Sequence, residues 1–227
     1  MKTPAMLTLV LLAMVAVGAQ QPLPPPFPRT NATKLLENSR INVWDIVWPK
    51  GQPTAMHRHI YDQVGTYYVR GGRTITTPDG QARSNMTEVG SLSTTRKDTT
   101  HIEEGNTDPP LRAVFIELKQ TAPSGVRPAD VGASPFPRDG AQQVQDDDRV
   151  TSWDFTWAAG PQGVTYRAPL ETVIVWLGDG TLRVTTGDAP AASVPVKAGS
   201  MRHLDRGSPE TLQMADGAPR VLLFQFK

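Results

Sequence analysis

Met56-His57-Arg58-His59-Ile60-Tyr61-Asp62-Gln63, with His101 further along, is the stretch on which the reading of this chain turns. Three of its four histidines fall here. His57 and His59 stand at i and i+2, which on a β-strand puts both imidazoles on one face. The turn-rich segment before His101 can bring a second strand back alongside. Neutral imidazole is the commonest protein ligand for first-row divalent metals. These residues alone therefore point to one metal site in a β-barrel.

The flanking sequence reads as strands. Trp44, Ile46 and Trp48 alternate, Gln63–Val69 is β-branched and aromatic, and Gly71-Gly72 and Pro78-Asp79-Gly80 read as turns. Further strands fit Ser91–Ser93, Thr99–Glu103 and Arg112–Lys119. Short strands at this spacing, with no helical period, predict an all-β sandwich or barrel. Upstream, Met1–Ala19 has Lys2, an apolar Met6–Val17 core and small residues at Val17-Gly18-Ala19. It reads as a secretory signal peptide cleaved after Ala19, giving a periplasmic or secreted protein with no membrane attachment. Residues 20–40 follow as an arm containing Pro22, Pro24, Pro25, Pro26 and Pro28, free or laid across a neighbouring subunit. Within it Thr33 could cap one helical turn over Lys34–Glu37.

Residues 120–149 are rich in proline and glycine and read as a linker. They end near Asp146-Asp147-Asp148, most simply a solvated turn. Beyond them the strand pattern returns at a constant offset of 109 residues: Trp44-Asp45 matches Trp153-Asp154, Trp48 matches Trp157, and Gly71 matches Gly180. Gly90-Ser91 matches Gly199-Ser200, Pro110 matches Pro219 and Phe115 matches Phe224, with no gap. This is an internal duplication, with units at 41–119 and 150–227.

Net charge is +1, from 23 basic and 22 acidic residues, with no basic block, so nucleic acid is excluded as an expected partner. The absence of cysteine excludes disulfides, thiolate metal sites and a cysteine nucleophile. No phosphate-cradling glycine loop or nucleophile elbow is visible.

The first unit resembles a cupin. That family carries Gly, five residues, His-x-His, three or four residues, Glu, six residues and Gly. Here Gly51, His57, His59, Gln63 and Gly71 stand at those places, with one extra residue before the last glycine. The second family motif is Gly, five residues, Pro-x-Gly, two residues, His, three residues and Asn. Here Gly90 and His101 match, Arg96 and Asp98 replace Pro and Gly, and Asn106 comes one residue late. The resemblance implies a bicupin, two antiparallel jelly-roll barrels in one chain, and a metal held by His57, His59 and His101 with Gln63 at the carboxylate position. Iron, manganese, nickel and zinc all suit so nitrogen-rich a set. Gln63 is neutral, so the metal's charge favours an anionic ligand.

Tyr67 shares strand parity with Gln63, and Thr99 and Glu103 share it with His101. Tyr67 and Glu103 are thus the candidate catalytic residues. In the second unit Tyr166, Ala168, Thr172 and Glu210 replace the four ligand positions, and no metal is expected there. Two functions stay open: a metal-dependent enzyme acting on a small anionic or enolisable substrate, dioxygenase-like or isomerase- or lyase-like, and a non-catalytic protein that binds a small molecule or metal. Cupins commonly dimerise, and the proline arm could exchange between subunits of a homodimer.

Overall fold

Trp44, Ile46 and Trp48 point together into a barrel interior, where they pack with Phe27, Tyr67, Leu111 and Phe115. The computed structural model that shows this describes residues 22–119, 140–160 and 164–227. Every regular element among them is a β-strand.

In the first half the strands are β1 (Ala32–Glu37), β2 (Ile41–Trp48), β3 (His57–Arg58), β4 (Asp62–Val69), β5 (Gly71–Thr76), β6 (Ala82–Thr87), β7 (Leu92–Thr95), β8 (Thr100–Gly105) and β9 (Leu111–Leu118). One sheet runs β1-β2-β9-β4-β7 and the other β3-β8-β5-β6. The second half holds β10 (Gln142–Asp146), β11 (Val150–Thr156), β12 (Val164–Arg167), β13 (Glu171–Trp176), β14 (Gly180–Thr186), β15 (Ala192–Val196), β16 (Met201–Leu204), β17 (Pro209–Asp216) and β18 (Arg220–Phe226). Its sheets run β10-β11-β18-β13-β16 and β12-β17-β14-β15. These are the orders of the first half with every label advanced by nine, and the named strands all pair antiparallel. His57↔His101 on β3 and β8 becomes Tyr166↔Glu210 on β12 and β17.

The repeat is not gap-free. Ile41 pairs with Leu118, while its counterpart Val150 pairs with Phe226. The offset therefore drops by one residue between β8 and β9, where the second half has the shorter connection. Phe115 corresponds to Leu223, and Phe224 to Ile116, not to each other. Strand sequences alone conceal this, because both halves place Pro and Phe near the same positions by coincidence of loop length.

Two further expectations are corrected. Thr33–Glu37 is strand, not a helical turn, and it pairs with β2. A single turn carries the whole nucleation cost of a helix for almost no hydrogen bonds, whereas the edge of β2 offers a ready ladder. Inside the expected linker, β10 pairs with β11 in the same way and keeps the same bulge. The acidic run is a turn: Asp147 Oδ1 accepts from the backbone N–H groups of Arg149 and Val150 at 2.8 and 3.0 Å.

The two five-stranded sheets share one apolar layer. Val43, Val64, Val114 and Ile116 meet Val173, Val175, Leu222 and Phe224, all fully buried. Each such side chain contributes about 1.5–3 kcal/mol on burial. The ion pairs at the edge of this layer are reciprocal, though the carbonyl contacts beside them are not. Arg40 reaches Glu171 at 3.2 Å and the carbonyl of Lys227 at 2.7 Å. Its counterpart Arg149 reaches Asp62 at 3.1 Å and the carbonyl of Leu118 at 2.9 Å.

β8 closes against the end of β2 only because Gly105 has no side chain. A Cβ there would lie 2.0 Å from the Trp48 carbonyl oxygen, which is backbone and has nowhere to go. Gly105→Ala is expected to lower stability by about 3 kcal/mol through this overpacking. An earlier urea midpoint would show it; an unchanged midpoint would mean that the close approach is dispensable.

Candidate metal centre

β3 is very short, yet it places two site residues. His57 pairs directly with His101. The ladder continues past the strand end, with His59 N donating to Thr99 O at 2.9 Å and Asp98 N to His59 O at 2.7 Å. Alternation turns His57 and His59 inward and Arg58 outward, where Arg58 pairs with exposed Asp98 at 2.8 Å. Asp98 occupies the Gly place of the second motif with φ of 70°. Aspartate tolerates this left-handed conformation better than most residues, so the turn survives the loss of glycine.

The three imidazoles are buried, with ring centroids 4.8–5.4 Å apart. One nitrogen from each lies within 4.8 Å of the others, so the three could hold a metal ion. His57 Nδ1 lies 3.0 Å from the Ala55 carbonyl and donates to it, which leaves the Nε2 lone pair facing inward. That Nε2 is buried and has no hydrogen-bond partner. His59 Nε2 and His101 Nε2 are 3.3 Å apart. Two nitrogens about 2.0–2.1 Å from one tetrahedral ion would be separated by about that distance. Burial holds all three imidazoles below their ordinary pKa, His59 and His101 at about 4, so they are neutral ligands at neutral pH. The donor set fits a divalent metal.

Gln63 stands on the inner face of β4, buried, its amide nitrogen without a partner. No hydrogen bond joins it to the imidazoles. Tyr67, further along β4, accepts from Arg73 Nη2 through its hydroxyl at 2.9 Å. Glu103 lies next inward from His101 on β8, with Oε1 3.6 Å from His101 Nε2. Its Oε2 accepts from Arg29 at 2.9 Å and from the Trp48 indole at 3.0 Å, and its Oε1 accepts from Arg73 at 2.5 Å. Burial would push the Glu103 carboxyl up, but the Arg73 and Arg29 guanidiniums outweigh it and hold the group well below the usual carboxylate range.

Arg29, Arg73 and Trp48 do not emerge as site residues from the sequence. Arg29 lies 74 residues from its carboxylate, and no local pattern announces such a pairing. Two guanidiniums face one carboxylate here, leaving an excess positive charge beside the imidazoles.

The proline arm lies on its own barrel. Arg58 N donates to Pro24 O at 3.0 Å, and Phe27 stacks on Trp44 at 4.7 Å. Between the arm and the loop at 49–55 is a pocket of about 280 Å³, with Arg29, Trp48 and His57 on its walls.

The second half fills the same places differently. Leu182 and Leu212 stand where Arg73 and Glu103 do, inside an apolar core with Ala168 and Trp176. Glu210, at the place of His101, is held by Arg202 at 2.7 and 2.9 Å. Among the described residues no second cluster of three metal-ligating His, Asp or Glu side chains occurs.

No protein-family model matches the chain, and no curated protein does. Solved structures match it across most of its length. AerE from Microcystis aeruginosa aligns with a TM-score of 0.60 at 10% identity, over 90% of this chain and 98% of that one. A cupin 2 conserved barrel domain protein from Leptotrichia buccalis gives 0.56 at 14% identity, over 86% and 88%. A variant of salicylate 1,2-dioxygenase from Pseudoaminobacter salicylatoxidans gives 0.56 at 13% identity, over 82% and 71%. At these identities the likeness is one of fold.

Proposed function

We propose, with the cupin fold as premise, that this is an exported two-barrel protein whose N-terminal barrel is a metal-dependent enzyme for a small organic anion. The observation that carries this reading is the buried triad, whose His57 lines a pocket together with Arg29, beside a carboxylate faced by two guanidiniums. His57, His59 and His101 would hold the ion, with Gln63 as the candidate for a fourth protein position. Bound iron, manganese, nickel or zinc would supply Lewis acidity, and the redox-active ones dioxygen chemistry.

The chain's own residues do the rest. Arg29 and Arg73 draw an anion inward, since their joint charge exceeds that of Glu103. Trp48 and the prolines of the arm give the pocket apolar walls that keep bulk water from the bound ligand. Glu103 balances charge; with both oxygens already taken by cationic or indole donors, it is a poor general base. The Tyr67 hydroxyl accepts from Arg73, so its own proton is available to an oxygen of the ligand. Cleavage after Ala19 leaves the arm intact, including Pro24, Phe27 and Arg29. The second barrel buttresses the first through their shared apolar layer and carries no metal.

Elemental analysis of the mature protein, followed by oxygen-uptake and product screens with small enolisable acids and phenols, tests this. About one metal per chain and turnover of a carboxylate over its neutral amide are expected. Metal-replete protein that binds such anions without converting them would favour the non-catalytic reading. Protein that takes up no metal would end the enzyme reading and leave only a small-molecule binder.

A further inference from the structure

Glu117 is a buried carboxylate on the inner face of β9. The Asn42 amide and the Trp44 indole each donate to its Oε2 at 2.9 Å. The second half holds the corresponding indole in the same way with a neutral group: Trp153 Nε1 donates to Gln225 Oε1 at 3.0 Å. An amide therefore suffices to anchor this tryptophan. Burying a carboxylate costs more than burying an amide, so the charge at position 117 has a reason beyond that hydrogen bond.

The neighbour across the ladder supplies one. Glu117 pairs with Gln63, whereas Gln225 pairs with Thr172. Gln63 is 4% exposed and its Nε2 is buried without a partner. It lies on the same bent ladder as His59, since Gln63 pairs with Thr95 and His59 with Asp98 and Thr99. A ligating amide oxygen becomes more basic, and its orientation is fixed, when the amide N–H donates to a carboxylate. The half with histidines thus pairs an amide with a carboxylate across the ladder; the half without them pairs a threonine with an amide.

We infer that Glu117 is a positioning residue for the metal centre. When an ion is held, the orphaned Gln63 amide N–H would donate to Glu117, turning Gln63 Oε1 to the ion, and Glu117 would supply from the next strand the negative charge that position 63 lacks. This rests on the metal reading above.

The test is zinc affinity by chelator competition, with urea unfolding in parallel. Glu117→Gln copies the residue of the second half, so the urea midpoint should hold while zinc affinity falls about ten- to a hundred-fold. Adding Gln63→Glu to that variant returns the charge one strand over and should restore affinity. In a Gln63→Ala background, Glu117→Gln should cost nothing further. Wild-type affinity in Glu117→Gln, or an equal loss with and without Gln63, overturns the inference while leaving the metal centre intact. If His101→Ala also binds zinc like wild type, the centre itself is misassigned.

Discussion

His101→Ala is expected to reduce zinc affinity by more than about a hundred-fold, beyond what loss of an outer-shell partner causes. Three imidazoles converge here, and the nearest carboxylate, Glu103, has both oxygens engaged by Arg29, Trp48 and Arg73, so only the Gln63 amide is left beside the two remaining rings. His59 Nε2 would lose the nitrogen that faces it at 3.3 Å, and His57 would lose its cross-strand partner. The fold should survive, because β8 is held by its ladder to β5 and by the Thr54–Glu103 contacts, not by the ring. Elemental analysis after dialysis reads the result directly. Glu210→Gln, the matching position of the second half, should leave the metal content unchanged. Full metal content in His101→Ala would refute the triad.

Arg73→Leu should be the costliest single change within the barrel interior. It removes the donor of Glu103 Oε1 and the donor to Tyr67 together, in a group whose side chains are about nine-tenths buried. Loss of one partner of a buried ion pair costs about 3–5 kcal/mol; Arg29 and Trp48 still hold the other oxygen, which places the cost near 3. Adding Glu103→Leu should recover most of this, because well-packed apolar replacements of buried ion pairs are often neutral. The chain already contains the outcome: Leu182 and Leu212 fill these two positions in the second half. Urea unfolding of the wild type, both singles and the double closes the cycle. A double variant as weak as the sum of its singles would mean that the two side chains act independently.

His57, His59 and His101 were legible in the sequence because alternation and spacing are local. Their convergence needs only that β3 and β8 pair, as their strand character suggests. The inward parity of Tyr67 and Glu103 was legible for the same reason. Arg29 was not, since its partner is distant in the chain and an arm of prolines carries no register. Arg73 and Glu117 alternate correctly, but a single charged residue on a strand does not announce burial. Lys34–Glu37 misled because its composition favours helix while its neighbour β2 offers hydrogen bonds that composition cannot show. The one-residue change of offset was hidden in a loop, where length is free to vary.

The crossed pairs Arg40–Glu171 and Arg149–Asp62 have a historical consequence. When residue i of one body meets residue j of another, and j meets i, the contact is isologous, as in a twofold dimer of identical subunits. A lone ancestral unit with these residues would have self-associated through this same face. Joining the two units in one chain makes that association independent of concentration. Hence this face is already occupied within the chain, and any higher assembly would have to use another.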